Sequence, residues 1–113
     1  MHIPEAATLL RIFIGEDDQY EGNPLYETIV RKARELHLAG ATVLRGSVGF
    51  GHSSRLHTSK ILRLSEDLPL VIEIVDSPEK INQFLPFLRE MMAGGMITME
   101  QVRVLQYGPG NNS

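Results

Sequence analysis

The feature that most constrains the fold of this sequence is an apolar, strand-like run followed by a helix-start signal, a pattern that occurs twice. Residues 7–14 form the first run and residues 68–75 form the second. Both runs are short and rich in β-forming residues, so they predict largely buried strands. Asn23-Pro24 and Ser77-Pro78 each place a capping residue before a proline, which is typical of a helix N-terminus.

The residues after each proline have the spacing of an amphipathic helix. In the first helix Gly40 is expected to end the helix in a left-handed conformation. In the second, Gly94-Gly95 end the helix, and Pro86 inside it is expected to kink it because proline removes one hydrogen bond. The predicted apolar stripes are Leu25, Ile29, Ala33 and Leu36 in the first helix, and Ile81, Phe84, Leu85, Leu88, Met91 and Met92 in the second.

Further strands are predicted at residues 41–48, 61–64 and 97–107. Together with the two strand–helix units they predict an α+β, ferredoxin-like βαββαβ domain over residues 1–113, with a disordered tail at 108–113. Its four-stranded antiparallel sheet would carry both helices on one face. The other face would be bare and apolar, which predicts association between copies of the chain through their sheets.

The amino-acid composition and the net charge exclude several classes of function. The formal net charge is −3, from 11 basic and 14 acidic residues that are mixed along the chain, so a nucleic-acid partner is not expected. The 113 residues include no cysteine, which excludes disulfides and thiolate zinc sites. Neither a signal peptide nor a run long enough to span a bilayer is recognised, so a soluble, cytoplasmic protein is expected.

A glycine-rich segment, residues 46–51, follows the second predicted strand. Glycines let backbone N–H groups approach an anion closely, although they also simply punctuate loops. The spacing matches the P-loop, but His52 stands where that motif needs lysine. The order G-x-x-G-x-G also reverses the dinucleotide fingerprint, so both motifs are rejected.

His52 and His57 lie five residues apart in the same predicted loop. Two imidazoles there could bind Zn or Cu, with His37 or a carboxylate of another subunit completing the ligand set, or could simply be solvated. One of them could also act as a general base at a cleft between subunits. No paired carboxylates or nucleophile elbow accompany them, so a non-enzymatic protein is expected.

The segment 40–51, Gly-Ala-Thr-Val-Leu-Arg-Gly-Ser-Val-Gly-Phe-Gly, resembles the second strand of the P-II nitrogen-regulatory proteins, where such a strand leads into a long exposed T-loop. The closer resemblance is to an uncharacterised P-II-like family, a domain of unknown function in that superfamily. It is carried by residues 45–51, 64–76, Leu85-Pro86 and 95–98. The resemblance implies a homotrimer with its sheets packed inward and a ligand cleft between subunits.

Carried over by position, the resemblance implies a set of ligand-binding residues. Met96 stands where P-II proteins have a phosphate-binding lysine, and Leu105 replaces the second arginine of the last strand. Since each lost cation removes a charge-assisted bond, ATP should bind weakly or the ligand should differ. The excursion 52–60 contains no tyrosine, so the tyrosine modified in some P-II T-loops is absent. The implied set is Arg45, Gly46, Gly49, Phe50, Gly51, Gly94, Gly95 and Arg103.

These features lead to the expectation of a trimeric regulatory protein. It would bind a small anionic ligand, an adenine nucleotide being the candidate, and signal through the loop 50–60 to a partner protein. A membrane transporter is the partner that analogy suggests. The alternative is a metal-binding trimer resembling the divalent-cation-tolerance proteins, with His52 and His57 as ligands.

Overall fold

The computed structural model describes residues 4–46 and 68–108. In this part of the chain two helices follow strands in the order that the repeated strand–helix pattern predicts. The elements are β1 (Ala6–Gly15), β2 (Gln19–Tyr20), β3 (Asn23–Pro24), α1 (Leu25–Glu35), β4 (Thr42–Arg45), β5 (Pro69–Asp76), α2 (Pro78–Met91) and β6 (Met96–Arg103).

Four strands form one antiparallel sheet in the order β4-β5-β1-β6. The two long apolar runs of the sequence, β1 and β5, are therefore the central strands. Arg11 of β1 lies opposite Glu73 of β5 on one side and Thr98 of β6 on the other. The predicted α+β class, with a four-stranded antiparallel sheet and two helices, is confirmed.

The core lies between the helices and one face of this sheet. Successive strand residues point to opposite faces, and from residue 9 to residue 14 of β1 and throughout β5 the even-numbered residues are the buried ones. The apolar ones among them form a single cluster with apolar residues of both helices, so both helices pack on the same face. The cluster contains Leu10, Ile12, Ile14, Leu25, Ile29, Ala33, Leu38, Leu70, Ile72, Ile74, Ile81, Phe84, Leu88 and Met91.

The predicted start of α2 is confirmed. The Ser77 side chain accepts a hydrogen bond from the Lys80 backbone N–H at 3.2 Å, and Pro78 occupies the first turn. The helix continues through Pro86 to Met91. Asp76, which is fully buried just before the cap, accepts bonds from the backbone N–H of Ser77 at 2.7 Å and of Ala39 at 2.8 Å. Its carboxylate thus ties the segment after α1 to the beginning of α2.

Both predicted ends of α1 were wrong. Asn23 and Pro24 pair with Gln19 and Tyr20 in a short hairpin, and Pro24 itself is the N-cap, with no side-chain hydrogen bond. At the other end the helix stops at Glu35, and His37 rather than Gly40 has the positive φ, +61°. The Leu38 N–H bonds to the carbonyl of Ala33, and this closure completes the helix end before the chain reaches Gly40.

Two predicted strands are shorter than expected. β4 ends at Arg45, although the Gly46 N–H still donates to Pro69 O at 2.8 Å. β6 ends at Arg103 rather than Tyr107, with one further bond from the Val104 N–H to Glu5 O. Leu105 beyond that bond is 82% exposed. The predicted strand 61–64 and most of the tail lie outside the described residues.

The described helices do not include one that could cross a membrane. Their 11 and 14 residues are too few, and neither has an uninterrupted apolar surface.

Candidate functional site

The face of the sheet opposite the helices is open in the described part of the chain. Residues 9, 11 and 13 of β1 and the odd-numbered residues of β5 point to this face, and all of these are only half-buried. At the edges of the sheet Leu44 is 48% exposed and Met96 is 52% exposed. We call this surface the open face; its residues are Leu9, Arg11, Phe13, Leu44, Val71, Glu73, Val75, Met96 and Glu100.

An ion-pair network lies at the centre of the open face. Arg11 Nε donates to Glu73 Oε2 at 2.9 Å, and Arg11 Nη1 donates to Glu100 Oε1 at 2.7 Å. The hydrogen bond with Glu73 is the main reason why the pKa of Arg11 lies above its ordinary value, and the bond with Glu100 acts in the same direction. Three adjacent strands, β5, β1 and β6, thus contribute to one charged group, which apolar side chains flank.

Arg45 and Gly46, two residues of the predicted ligand set, lie together at the end of β4. The Arg45 guanidinium is exposed and donates to Glu16, 29 positions earlier in the chain. The Gly46 N–H is already bonded to Pro69 O, so an anion at this position would depend on the arginine rather than on that amide.

Gly94 and Gly95 directly precede β6, which begins at Met96. Gly95 has a φ of +90°, and a Cβ built there would lie only 2.4 Å from the carbonyl oxygen of Phe13. Both observations require glycine at this position, because an added methyl group would overlap the backbone of β1. Gly95 is thus needed for the close packing of β6 on β1, whatever it contacts outside the chain.

Arg103 lies at the far end of β6. Its Nε donates to Glu5 Oε2 at 2.9 Å, and a second nitrogen of the guanidinium contacts the same oxygen. Both candidate arginines are therefore paired with carboxylates that sequence reasoning missed. Glu5 and Arg103 are 98 positions apart, and no local pattern signals such a pair.

The two arginines occupy opposite corners of the sheet. Arg45 pairs with Leu70, which pairs with Ile14 of β1, whereas Arg103 pairs with Ala6 at the other end of β1. This separates them by about 26 Å along the strands and about 14 Å across them. One small ligand cannot contact both arginines of a single chain.

The remaining predicted site residues, Gly49, Phe50, Gly51, His52 and His57, lie outside the described residues. Within 4–46 and 68–108 no group of three or more His, Cys, Asp or Glu side chains could hold a metal ion.

Two clefts lie on the helix side of the described structure. One, of about 360 Å³, is lined by residues of β2, α1 and α2 that include Tyr20, Lys32 and Phe87. Lys32 Nζ lies 4.4 Å from the centre of the Phe87 ring and 3.3 Å from Glu35 Oε1.

The other cleft, of about 400 Å³, lies between the start of β1, the end of β6 and Pro78. It includes Arg103, Thr8 and Gln101, and sequence reasoning missed the last two. They become neighbours only through the β1–β6 register, which pairs Thr8 with Gln101.

Comparisons with known proteins identify relatives over most of the chain. A UPF0166 protein of Aquifex aeolicus (strain VF5) is 41% identical over 97 residues, which cover 86% of this chain and 91% of that protein. The UPF0166 protein MJ1524 of Methanocaldococcus jannaschii is 36% identical over 99 residues, covering 87% and 91%. Among solved structures, the de novo designed protein Foldit4 aligns with 88% of this chain at a TM-score of 0.45 and 9% identity, too distant a likeness to inform fold or function.

The matched family model spans residues 7–104, from the second residue of β1 to just beyond β6. It therefore includes the sheet, both helices and the two candidate arginines. This match and the two UPF0166 relatives show that the chain belongs to the family DUF190, described as "Uncharacterized ACR, COG1993".

Proposed function

We propose that this protein is a P-II-like regulatory protein that forms a homotrimer and binds a small anionic ligand in clefts between subunits. An adenine nucleotide is the candidate ligand, and residues 50–60 would carry the signal to a partner protein. The proposal includes a ferredoxin-like βαββαβ fold, which the strand order β4-β5-β1-β6 and the position of both helices on one face support.

The open face is the observation that carries this proposal. Large contiguous apolar surfaces on soluble proteins commonly mark interaction sites. Here Leu9, Phe13, Val71 and Val75 surround the Arg11 network. A second copy of the same sheet would cover these apolar side chains with its own. Such burial is the main source of favourable free energy in protein association.

The separation of Arg45 and Arg103 supports a ligand site that two copies share. In a ring, each subunit uses two different surfaces to contact its neighbours, so opposite corners of the chain meet at every interface. Arg45 of one copy and Arg103 of the next could then bind one anion. Within this proposal, Glu16 and Glu5 hold the two guanidinium groups until the ligand displaces them.

The regulatory part of the proposal rests on where residues 50–60 lie in the sequence. They begin a few residues after Arg45, so we propose that a ligand at the end of β4 changes the surface that they present to a partner. A membrane transporter is the proposed partner and the cytoplasm the proposed location. We propose no catalytic step.

The first experiment combines sedimentation velocity with thermal unfolding in the presence of ATP, ADP and AMP. We expect a trimer, and a nucleotide at a hundredfold excess over its Kd should stabilise the folded state by about 2.7 kcal/mol. Val71→Lys should give a monomer because it places a cation on the open face, whereas Arg34→Glu on the exposed surface of α1 should not. A monomeric parent protein that no nucleotide stabilises would contradict the proposal.

A mixing experiment tests whether the site is shared. Arg45→Ala and Arg103→Ala should each abolish binding of the nucleotide identified in the first experiment. After subunit exchange, an equal mixture should regain about a quarter of the sites, because some interfaces then bring together two intact arginines. A mixture that binds no better than either variant alone would contradict a shared site.

A further inference from the structure

The cleft at the start of α2 has the dimensions of a small-molecule site. It lies on the helix side of the sheet, between the beginning of β1 and the end of β6, and Pro78 of α2 forms one wall. Its volume of about 400 Å³ falls in the range of ligand pockets, which extends from about 300 to 1,000 Å³. The described residues of its lining all belong to one chain, from Ala6 to Arg103.

Thr8 is the unusual side chain of this cleft. It is only 8% exposed, and its hydroxyl has no hydrogen-bond partner among residues 4–46 and 68–108. Burial of a hydroxyl without a partner is unfavourable, and buried polar side chains are nearly always bonded. A ligand in the cleft would supply the missing partner.

The charges that line the cleft favour an anion. Arg103 is the only charged residue of its described lining, whereas the cleft that includes Lys32 is lined by two cations and two carboxylates. The positive end of the α2 dipole also points towards a ligand beside Pro78. Ser77 already accepts the N–H groups of Lys80 and Ile81, so side chains rather than first-turn amides would be the principal donors.

Three carboxylates lie near the cleft without being part of its lining. Glu5 pairs with Arg103 through one oxygen, Oε2, and guanidinium has five N–H donors, so some remain for a ligand. Asp76 is buried and bonded to two backbone N–H groups, and Glu79 lies in the first turn of α2. These groups limit the affinity for an anion, and Glu5 occupies two of the N–H donors of Arg103 but not all five.

We propose that this cleft binds a small oxyanion, to which Thr8 donates its hydroxyl, Gln101 its amide and Arg103 its guanidinium. The oxyanion is either inorganic phosphate or the phosphate group of a nucleotide. The site shares Arg103 with the proposed function but needs neither Arg45 nor a second copy of the chain.

The test is calorimetric titration of the full chain with inorganic phosphate and with AMP. Thr8→Val keeps the size of the side chain and removes only the hydroxyl, and Gln101→Leu alters an exposed residue that can be replaced without disturbing the core. Each should weaken binding at least about tenfold, because each removes a bond to a charged group. Thr42→Val on exposed β4 is the matched control and should bind like the parent protein.

The outcomes separate this proposal from the trimer proposal. Equal losses for phosphate and AMP in Thr8→Val assign the site to the phosphate of the nucleotide, whereas loss for phosphate alone assigns it to the free anion. Absence of phosphate and AMP binding to the parent protein would overturn the inference. Binding that Arg45→Ala abolishes and Thr8→Val leaves intact would also overturn it, while supporting the shared site.

Discussion

The two faces of the sheet are formed by the same strands, yet their surroundings differ. On the helix side, Leu10, Ile12, Ile72 and Ile74 are at most 1% exposed. On the open face, the alternate residues of the same strands are half-buried, and an arginine with two carboxylates lies at the centre. From residue 9 to residue 14 of β1 and throughout β5, buried and half-buried residues alternate, so neighbouring residues of one strand experience different environments.

This difference shows that apolar content alone does not define a core. Leu9 and Phe13 are as apolar as Leu10 and Ile12, but the two described helices can cover only one face. The charged residues of the two faces also differ in their burial and in their hydrogen-bond partners. Asp76, level with Thr8 at the end of the sheet, is fully buried and bonded by backbone N–H groups, whereas Arg11 is 38% exposed and bonded by side chains. The helix-covered face is buried within one chain, and the open face is where we propose that a second copy binds.

The largest expected effect on the free energy of unfolding comes from comparing two neighbouring substitutions, Ile12→Ala on the helix side and Phe13→Ala on the open face. Ile12 is fully buried, so its truncation should lower the free energy of unfolding by about 2–5 kcal/mol at every protein concentration. Phe13→Ala should cost little in a dilute monomer and more as concentration rises, because it weakens association. Urea unfolding at two protein concentrations separates these behaviours, and equal, concentration-independent losses would contradict the role of the open face.

Gly95→Ala tests how closely β6 packs on β1. The added Cβ would overlap Phe13 O, and alanine is unfavourable at a φ of +90°, so we expect a loss of about 1–3 kcal/mol in unfolding free energy. Gly40→Ala is the matched control, since nothing lies within 4 Å of its Cβ. It should be neutral or stabilise by about 0.4–1 kcal/mol through the unfolded state. A harmless Gly95→Ala would mean that β6 can shift on β1.

Sequence patterns predicted the elements whose determinants are local. The apolar runs of β1 and β5 and the Ser77-Pro78 cap each depend on adjacent residues, and each prediction is confirmed. Asn23-Pro24 has the same local pattern but is paired in a hairpin with Gln19 and Tyr20, which overrides the capping preference. His37 replaces Gly40 at the end of α1 because the helix closes earlier, at Leu38.

The site depends on contacts that are distant in sequence. Glu5 and Glu16 meet Arg103 and Arg45 only after the sheet has formed, and Thr8 meets Gln101 only in one register of β1 and β6. A shift of one residue in that register would move each side chain to the other face. The resemblance could therefore nominate the arginines, but not their partners or the cleft beside α2.

Glu73→Gln tests the network at the centre of the open face. In a monomer the pair is partly exposed, so the change should affect the free energy of unfolding only slightly. In an assembly that covers this face it would leave the Arg11 charge with one carboxylate fewer, and association should weaken about tenfold or more. Glu35→Gln, which breaks the exposed pair with Lys32 on α1, is the control and should not change the sedimentation coefficient. If the Glu73→Gln variant associates like the parent protein, the Arg11 network does not lie in an interface between copies.

The smallest expected effect is a change in the pKa of one tyrosine on the helix side. This pKa can be measured whether or not copies of the chain associate. The Tyr26 hydroxyl donates to Glu27 Oε2 at 3.2 Å, and this bond is the main reason why the pKa of Tyr26 is raised. The pKa of Tyr20 is raised chiefly by burial. Because a raised pKa favours the protonated phenol in the folded state, its contribution to stability is present below the unfolded pKa of about 10 and is lost as the pH rises through the folded pKa.

Glu27→Gln should therefore lower the pKa of Tyr26 and leave that of Tyr20 unchanged, as followed by the pH dependence of the NMR signals of each tyrosine ring. If both tyrosines shifted together, the substitution would have altered the packing of α1 rather than one hydrogen bond. If neither shifted, the Tyr26–Glu27 bond would not persist in solution. A shift of Tyr26 alone, with the sedimentation coefficient unchanged, would show that the helix side can be altered without affecting association, as the contrast between the two faces requires.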